Sequence, residues 1–355
     1  MNKYRIPTIS EIKEIAKKSK PAFEVVSLFA GGGGSSTGYR MAGGKVLAIN
    51  EFIPEAIKTY QANWPDTTIL PGDVRKLTPE AILEEIKKEK GALDILDGSP
   101  PCSAFSTAGS REKGWGKKKK YSDSTQSNVE DLFFEYTRIL RGLMPRVFVA
   151  ENVAGLTKGT AKGYLNEILR ELKSCGYQVS CRVLDAKWLG VPQSRTRSIF
   201  VGIRNDLWKP EYKGRLHPKP FDKVVTLEEA FEGLPITNKD IRETDISRFA
   251  VYKELKNLPA GGQSERYFQL VKAHPKLPSG CITASAGNLG IACVKHWDNR
   301  AFTVSEIKRI MSIPDDYILT GTYQQQVERL GRMVAPFMMK AIAENLKSLG
   351  IFSNG

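Results

Sequence analysis

The sequence predicts an α/β protein with a doubly wound, mainly parallel sheet and a second, smaller irregular domain. From Phe23 to Ile203, short apolar runs alternate with segments of helical spacing, which favours parallel strands joined by helices. From Asn205 to about His274 this alternation fails, and Lys, Arg, Pro and Gly surround scattered aromatic residues. A chain of 355 residues is also long for a single core, so one large domain and one smaller one are expected.

Composition narrows the class of protein. Apolar residues make up 41% of the chain, no apolar run reaches membrane-spanning length, and Met1–Arg5 leads into no signal-peptide core. The 5 cysteines, an odd number without Cys-x-x-Cys spacing, suit a reducing cytosol and argue against a zinc site. We therefore expect a cytoplasmic protein with no metal. The formal charge of +14 favours a polyanionic partner, although simple solubility also accounts for it.

Residues 1–22 form a polar extension. Ile9, Ile12 and Ile15 fall at helical spacing behind a capping hydroxyl, and Pro21 ends the predicted helix. We assign no function to this extension.

A glycine loop, Phe29–Gly34, follows the first predicted strand and leads into a helix near Ser35–Met41. Glycines let backbone amides approach a ligand closely at a helix amino terminus. The strict dinucleotide fingerprint is absent, because Ser36 stands at the third glycine position. This weakens a nicotinamide interpretation.

Acidic residues follow the next two predicted strands. Glu51 ends the strand that begins at Val46, and an acid at that distance from the glycine loop accepts hydrogen bonds from a ribose diol. Asp73 follows a short strand near Thr67–Leu70. The alternative for both acids is a solvated carboxylate at a strand end.

A rigid turn follows the apolar run Ala92–Leu96, which is typical of a buried strand. Gly98 breaks the strand, and Pro100 and Pro101 stiffen the chain just before Cys102. The carboxyl edge of an open α/β sheet binds ligands, so a cysteine presented there is a candidate nucleophile. The alternative is an inert core cysteine.

The segment Ser110–Ser127 is a long loop rich in basic residues and glycine. Long loops in compact domains are usually functional or disordered. A run of lysines is often just a solvated loop, so the residues alone leave both interpretations open.

The alternation then continues to a return strand, so the sheet should end in an antiparallel hairpin. One strand delivers the tripeptide Glu151-Asn152-Val153 to the same sheet edge, and the pentapeptide Gln193–Arg197 precedes the return strand. The remaining predicted elements are a helix at 130–143, a strand at 147–150, a helix at 164–175, a strand at 177–183 and the return strand at 199–203.

The glycine loop, the Pro-Pro-Cys turn, the Glu-Asn-Val tripeptide and the Gln-Ser-Arg-Thr-Arg pentapeptide together resemble the DNA cytosine-5 methyltransferases. In order and spacing this resemblance covers Phe23 to Leu346, and the family includes the modification enzymes of restriction systems. It implies a sheet of the S-adenosylmethionine-dependent methyltransferase type, S-adenosyl-L-methionine as cofactor and double-stranded DNA as substrate. It further implies methyl transfer to carbon 5 of a flipped-out cytosine, through a cysteine adduct at carbon 6.

The resemblance implies a role for each matching residue. Cys102 would add to carbon 6, Glu151 would meet ring nitrogen 3, and Arg197 would donate to the carbonyl at carbon 2, with Arg195 supporting. Glu51 would bind the ribose, Phe52 would stack on the adenine and Asp73 would accept from its amino group. The other cofactor contacts implied are Phe29, Gly31, Gly33, Val74, Pro100 and Val334. The DNA contacts implied are Ser103, Arg111, Lys113, Lys117, Lys118, Lys119, Lys120 and Gln193.

The predicted domains are the extension at 1–22, a catalytic and cofactor-binding domain at 23–204, a target-recognition domain at 205–274, and a bracing segment with a returning helix at 275–355. Two positions depart from the family pattern. Ser127-Asn128-Val129 stands where the family often has Asp-x-Arg, and Arg332 stands where it usually has Asn.

Two alternatives keep part of this interpretation. A tRNA cytosine methyltransferase would carry a Cys-Phe-Thr tripeptide, which no cysteine here begins. A non-catalytic DNA-binding relative would have no need of the Cys102, Glu151 and Arg197 set. We expect a monomer, and a cognate restriction endonuclease acting separately is a possible partner.

Overall fold

The computed structural model describes residues 4–18, 20–100, 119–120, 125–126, 131–157 and 161–352. Backbone contacts group the chain into two compact units. The sheet unit comprises Glu14–Leu184, Thr196–Lys219 and Met339–Gly355, and the accessory unit comprises Met1–Lys13, Asp185–Arg195 and Pro220–Met338. The predicted target-recognition domain at 205–274 is defined by its function and not by backbone contacts, so its bounds stay a prediction.

Seven strands form one sheet in the order β3-β2-β1-β4-β7-β9-β8. The described strands are β1 (Glu24–Leu28), β2 (Lys45–Glu51), β3 (Thr68–Pro71), β4 (Ile95–Gly98), β5 (Lys119–Lys120), β6 (Thr125–Gln126), β7 (Val147–Val153), β8 (Tyr177–Asp185), β9 (Thr196–Arg204), β10 (Val271–Lys272) and β11 (Val294–Lys295). The pairs from β3 to β7 are parallel, whereas β7 and β9 are antiparallel. The predicted doubly wound, mainly parallel sheet with an antiparallel end is therefore confirmed.

Helices connect the parallel strands, as the alternation predicts. The described helices are α1 (Ile9–Lys18), α2 (Gly34–Met41), α3 (Pro54–Asn63), α4 (Pro79–Ile86), α5 (Leu132–Leu143), α6 (Ala161–Ser174), α7 (Leu227–Phe231), α8 (Asn238–Glu243), α9 (Ala250–Asn257), α10 (Val304–Ile310), α11 (Tyr323–Arg332) and α12 (Pro336–Ser348). None of the described helices combines the length and the hydropathy of a membrane span.

The main core lies between the sheet and the helices α4, α5 and α6. Val26, Leu96 and Phe148 supply its sheet side, and Ile82, Leu140 and Leu172 are among the helix residues that pack against them. These side chains are fully excluded from solvent, and burying each one stabilises the fold by about 1.5–3 kcal/mol. The core therefore holds the central strands β1, β4 and β7 in fixed register.

The accessory unit has a second, smaller core. Ile246, Val251, Leu255, Leu270 and Ala301 are its buried members. Several of its helices begin with capping boxes, in which a threonine hydroxyl and an acid or amide side chain satisfy each other's backbone donors. These boxes pair Thr226 with Glu229, Thr237 with Asp240, Thr303 with Glu306 and Thr322 with Gln325.

Within 275–355, where one returning helix is predicted, the segment Gly331–Pro336 separates two helices. Gly331 and Arg332 end α11, and Pro336 begins α12. Proline favours the first turn of a helix and disfavours helical geometry in the residue before it, which explains the break. Gly331 is needed for another reason: a Cβ there would lie 2.4 Å from the carbonyl carbon of Thr283.

Candidate active site

The carboxyl ends of β1, β4 and β7 lie side by side in the sheet unit. Leu28 pairs with Gly98, and Gly98 pairs with Ala150. The glycine loop, the turn toward Cys102 and the Glu151 tripeptide therefore leave one edge at the same level, as the sequence predicts for a ligand site.

The glycine loop has left-handed backbone at Phe29, Gly31 and Gly33, with φ values of 55°, 55° and 93°. Gly33 is the N-cap of α2. No atom of the residues that the structure describes lies within 4 Å of a Cβ built on Gly31, so the loop is open toward that part of the chain. Phe29 is the unusual member, because a bulky residue in this region is strained and such strain clusters at functional sites.

Glu51 fixes the shape of that loop. Its Oε2 accepts from the backbone N–H of Gly31 at 2.6 Å, and its Oε1 accepts from those of Phe52 at 2.7 Å and Ile53 at 2.8 Å. The Glu51 carbonyl also accepts from the N–H of Gly72 at 2.8 Å. The ends of β2 and β3 are thus joined to the glycine loop through one residue, Glu51, by its carboxylate and its backbone carbonyl.

Three of the other predicted cofactor residues, Phe52, Asp73 and Val74, closely follow the ends of β2 and β3 in the sheet unit. The Asp73 carboxylate accepts from the Arg75 backbone N–H at 3.0 Å and pairs with its guanidinium at 2.9 Å. Phe52 is half-buried, and Val74 is buried in the main core. Val334 is buried in the accessory unit.

Glu151 and Arg197 form an ion pair at the same edge. Arg197 Nε lies 2.6 Å from Glu151 Oε1, and the two side chains are 14% and 12% exposed. The pair follows from the register, because Val153 pairs with Arg197 and Glu151 pairs with Ile199, which places both charged residues on one face of antiparallel strands. A charge-assisted pair that keeps some solvent access can exchange protein contacts for ligand contacts.

The turn that leads to Cys102 is held on two sides as far as Pro100. Asn152 Nδ2 donates to the Pro100 carbonyl at 3.3 Å. A Cβ on Gly98 would lie 2.6 Å from the Tyr136 ring, so only glycine fits between that ring and the strand. Cys102 itself lies outside the described residues, as do Ser103, Arg111, Lys113, Lys117 and Lys118. Lys119 and Lys120 are described by backbone only, in the short antiparallel pair of β5 and β6.

Arg195 is a buried brace in the accessory unit. Its guanidinium donates to the carbonyls of Ile282 at 3.1 Å, Gly331 at 2.9 Å and Met333 at 3.0 Å, and its side chain is 3% exposed. These contacts fix the segment just before β9, and the supporting role in base binding stays a prediction.

Gln193 is enclosed by protein in the same unit. Its Oε1 accepts from the Ile282 N–H at 3.1 Å and its Nε2 lies 2.9 Å from Met311 Sδ. A DNA contact, as predicted, would require this side chain to leave both partners.

Asp97 is a site residue that the sequence analysis did not assign. It is 1% exposed, one residue before Gly98, and its carboxylate accepts from Ser27 Oγ at 2.6 Å and Tyr39 Oη at 3.1 Å. The Asp97 pKa is raised from 3.8 to about 7, chiefly by burial and also by the negative charge of Glu151, against the lowering effect of the hydroxyl donors Ser27, Tyr39 and Ser35. The sequence carried one signal for this residue, because Asp97 is an acid directly after the apolar run Leu93–Leu96.

The elevated Asp97 pKa predicts a pH-dependent stability. Between about pH 4 and 7 the folded chain keeps a proton that the unfolded chain has lost, so this group's contribution falls as pH rises and levels off above 7. Asp97→Asn removes this contribution. The unfolding free energy of the variant minus that of wild type should therefore increase by about 2–3 kcal/mol from pH 5 to pH 8. Denaturant titrations across this range measure the difference.

Asp206→Asn is the matched control. Its hydrogen bonds to Arg204 lower the Asp206 pKa, so that carboxylate is ionised throughout the same range. The unfolding free energy of the control minus that of wild type should not change with pH. A difference that is independent of pH for Asp97→Asn as well would contradict the raised Asp97 pKa.

Comparison with known proteins identifies the family. Residues 23–348 match the family model described as C-5 cytosine-specific DNA methylase. The chain belongs to this family. The methyltransferase is 30% identical over 335 residues to the type II methyltransferase M1.HphI of Haemophilus parahaemolyticus, covering 90% of this chain and 85% of that protein. It is 31% identical over 324 residues to M.NgoPII of Neisseria gonorrhoeae, covering 83% and 86%.

A solved structure supports the same fold. A crystal structure described as a DNA modification methyltransferase encoded within a prophage of E. coli superimposes with a TM-score of 0.71. The match covers 92% of this chain and 99% of that one at 21% identity, so the likeness concerns the fold. The family and activity predicted from the four motifs are confirmed: the chain is a DNA (cytosine-5-)-methyltransferase.

Proposed function

We propose that this methyltransferase acts on a cytosine flipped out of a specific DNA sequence, as the modification half of a restriction–modification system. The observation that carries the proposal is the Glu151–Arg197 pair, which lies at the sheet edge beside the turn that leads to Cys102. The type II methyltransferases to which the chain is similar support the biological setting.

The residues at the neighbouring strand ends fit a nucleoside cofactor. The loop over Gly31 is open, Glu51 is held in one orientation by three backbone donors, and Asp73 follows the adjacent strand. We propose that Glu51 and Asp73 bind the ribose and adenine of S-adenosyl-L-methionine, with Phe52 against the ring. When bound, this cofactor supplies an electrophilic sulfonium methyl group at the edge where Glu151 lies.

Cys102 has the central chemical role in the proposal. Its thiolate adds to carbon 6 of cytosine, which breaks the ring's aromaticity and places carbanion character on carbon 5. After carbon 5 has been methylated, it loses its proton to a base, and the sulfur–carbon bond breaks to release the cysteine. A free thiol of pKa about 8.5 is only slightly ionised at neutral pH, so the proposal requires a site that favours the thiolate.

Glu151 and Arg197 stabilise the charge that this addition creates. Glu151 holds the proton at ring nitrogen 3, so that the ring accepts electron density as a neutral species. Arg197 donates to the carbonyl oxygen at carbon 2. Their mutual contact of 2.6 Å positions both groups before the base arrives, which reduces the reorganisation needed in the transition state.

The lysine run predicts a measurable electrostatic effect. Replacing Lys117–Lys120 with glutamine should weaken DNA binding for all sequences, because phosphate contacts carry no sequence information. Each lost contact should reduce the slope of log affinity against log salt by roughly one. Fluorescence anisotropy over a salt series measures both effects. Lys58→Gln, at an exposed position of α3, is the control, and an unchanged slope for the lysine-run variant would show that this run does not touch phosphates.

Product analysis tests the proposed function directly. The purified chain is incubated with methyl-labelled S-adenosyl-L-methionine and, in separate reactions, unmodified genomic DNA or tRNA, and each nucleic acid is digested to nucleosides. We expect label in 5-methylcytosine, confined to one sequence context when the DNA is mapped. Label in N4-methylcytosine or 6-methyladenine, in tRNA alone, or in no nucleoside would overturn the proposal.

A further inference from the structure

One large apolar side chain of the accessory unit is left almost fully in solvent. Phe268 is 81% exposed, more than any other large hydrophobic residue in the described part of the chain. Most exposed apolar residues need no explanation, but a fixed aromatic ring at the tip of a loop is a recurrent feature of binding surfaces. The loop that carries Phe268 is therefore a candidate binding surface.

Phe268 lies near the tip of a hairpin formed by residues 261–272. The Gly261 N–H donates to the Lys272 carbonyl at 2.8 Å, and the Lys272 N–H donates to the Gly262 carbonyl at 2.8 Å. Closer to the tip, the Ser264 N–H donates to the Leu270 carbonyl at 2.9 Å. The two arms are thus paired along their length.

The tip itself is also fixed. Gln263 Nε2 donates to the Phe268 carbonyl at 2.6 Å, and the Tyr267 N–H donates to Ser264 Oγ at 2.9 Å. Leu270 is fully buried in the small core, and Tyr267 packs against that core. The hairpin is therefore anchored from below, and the exposure of Phe268 is a property of a held conformation.

The side chains around Phe268 are those that recognise base edges. Arg266 and Gln269 are exposed at the same tip, and arginine and glutamine are the usual donors and acceptors toward guanine and adenine. Glu265 is exposed beside them and offsets the charge of Arg266. A tip with no net charge suits base contacts better than phosphate contacts in a chain that carries +14 overall.

We propose that residues 261–272 form the base-recognition hairpin of this methyltransferase. Its tip enters a groove of the target duplex, where Phe268 packs against a base step and Arg266 and Gln269 contact base edges. Apolar wedges at base steps are an established way for proteins to unstack DNA, which here would accompany base flipping. The inference rests on the DNA methyltransferase function and adds the residues that choose the sequence.

Duplex binding by Phe268→Ala tests the proposal without requiring catalysis. The matched control is Leu277→Ala, which removes a 53%-exposed apolar side chain from the same unit. Binding is measured by anisotropy with sheared unmodified genomic DNA and then with a short duplex containing the mapped site. Thermal melting and S-adenosylmethionine affinity confirm that both variants are folded.

Phe268→Ala should bind the specific duplex about tenfold more weakly, because one aromatic–base contact contributes about 1–3 kcal/mol, whereas Leu277→Ala should stay within about twofold. The salt slope should not change, since no phosphate contact is lost. Equal affinities for the two variants would overturn the proposal. So would a change in oligomeric state for Phe268→Ala without a change in DNA affinity, which would mean that the ring contacts a second copy of the chain.

Methylation mapping of Arg266→Ala and Gln269→Ala tests the recognition half of the proposal. Each variant should relax the target sequence at one position while cytosine stays the methylated base. An unchanged target sequence in both variants would contradict base recognition by this hairpin. If the wild-type chain produces no 5-methylcytosine, the proposed function fails separately, and the binding comparison on sheared genomic DNA still decides whether the hairpin contacts DNA.

Discussion

Cys102→Ser should reduce methyl transfer by at least about a thousandfold, because a serine hydroxyl is a far weaker nucleophile than a thiolate at neutral pH. Binding of DNA and S-adenosylmethionine should stay near wild type, since neither depends on the sulfur in the proposed mechanism. Single-turnover transfer of labelled methyl groups to DNA measures the rate, and equilibrium binding measures the rest.

Cys181→Ser is the matched control for that prediction. Burial raises the Cys181 pKa to about 12, so its thiol supplies almost no thiolate near neutral pH. The Cys175 pKa is likewise raised by burial, to about 11. The control should keep wild-type activity, whereas a Cys102→Ser enzyme with substantial activity would exclude covalent catalysis by this residue.

Glu151→Gln should slow methyl transfer by about a hundredfold to a thousandfold, with cofactor affinity changed by no more than about twofold. The amide cannot hold a proton at ring nitrogen 3, and the ion pair that orients Arg197 is lost. The kcat on saturating DNA and the dissociation constant for S-adenosylmethionine separate these effects.

The same chemical change at Glu171 provides the comparison for Glu151→Gln. Glu171 pairs with Arg141, and its side chain is one-third exposed, so its replacement should leave kcat unaltered. If Glu151→Gln instead weakens cofactor binding as much as it slows transfer, Glu151 belongs to the cofactor half of the site.

Local patterns predicted the sheet and the residues at its edge. The alternation of apolar runs and helical spacing is a local property, and it placed β2, β7 and β9 within their observed limits. The prediction for β4 was less accurate, because this strand begins at Ile95 and includes Gly98, which was expected to break it. Because parallel strands end at one edge, the sequence also placed Glu51 and Glu151 at that edge. The Glu151–Arg197 contact depends on the register of β7 and β9. The sequence predicted the antiparallel hairpin at the end of the sheet but not this register.

Long-range packing explains what the sequence did not predict. Asp97 meets Ser27 only because the register of β1 and β4 pairs those two residues, and no local pattern encodes that register. Arg195 contacts carbonyls 87 to 138 residues away, so its bracing role is visible only in the folded chain. The 261–272 hairpin lies where periodicity fails, because short paired segments held by side-chain hydrogen bonds leave no repeating apolar pattern.

A covalent trap tests the central claim that Cys102 attacks the target cytosine. DNA containing 5-fluorocytosine in place of cytosine is incubated with the wild-type chain and S-adenosylmethionine, and stable protein–DNA adducts are digested and mapped by mass spectrometry. Fluorine cannot leave carbon 5 as a proton does, so the methylated adduct should accumulate. We predict one cofactor-dependent adduct on the peptide containing Cys102, and none for Cys102→Ser. An adduct at another residue, or none from a wild-type enzyme that methylates ordinary DNA, would contradict the account.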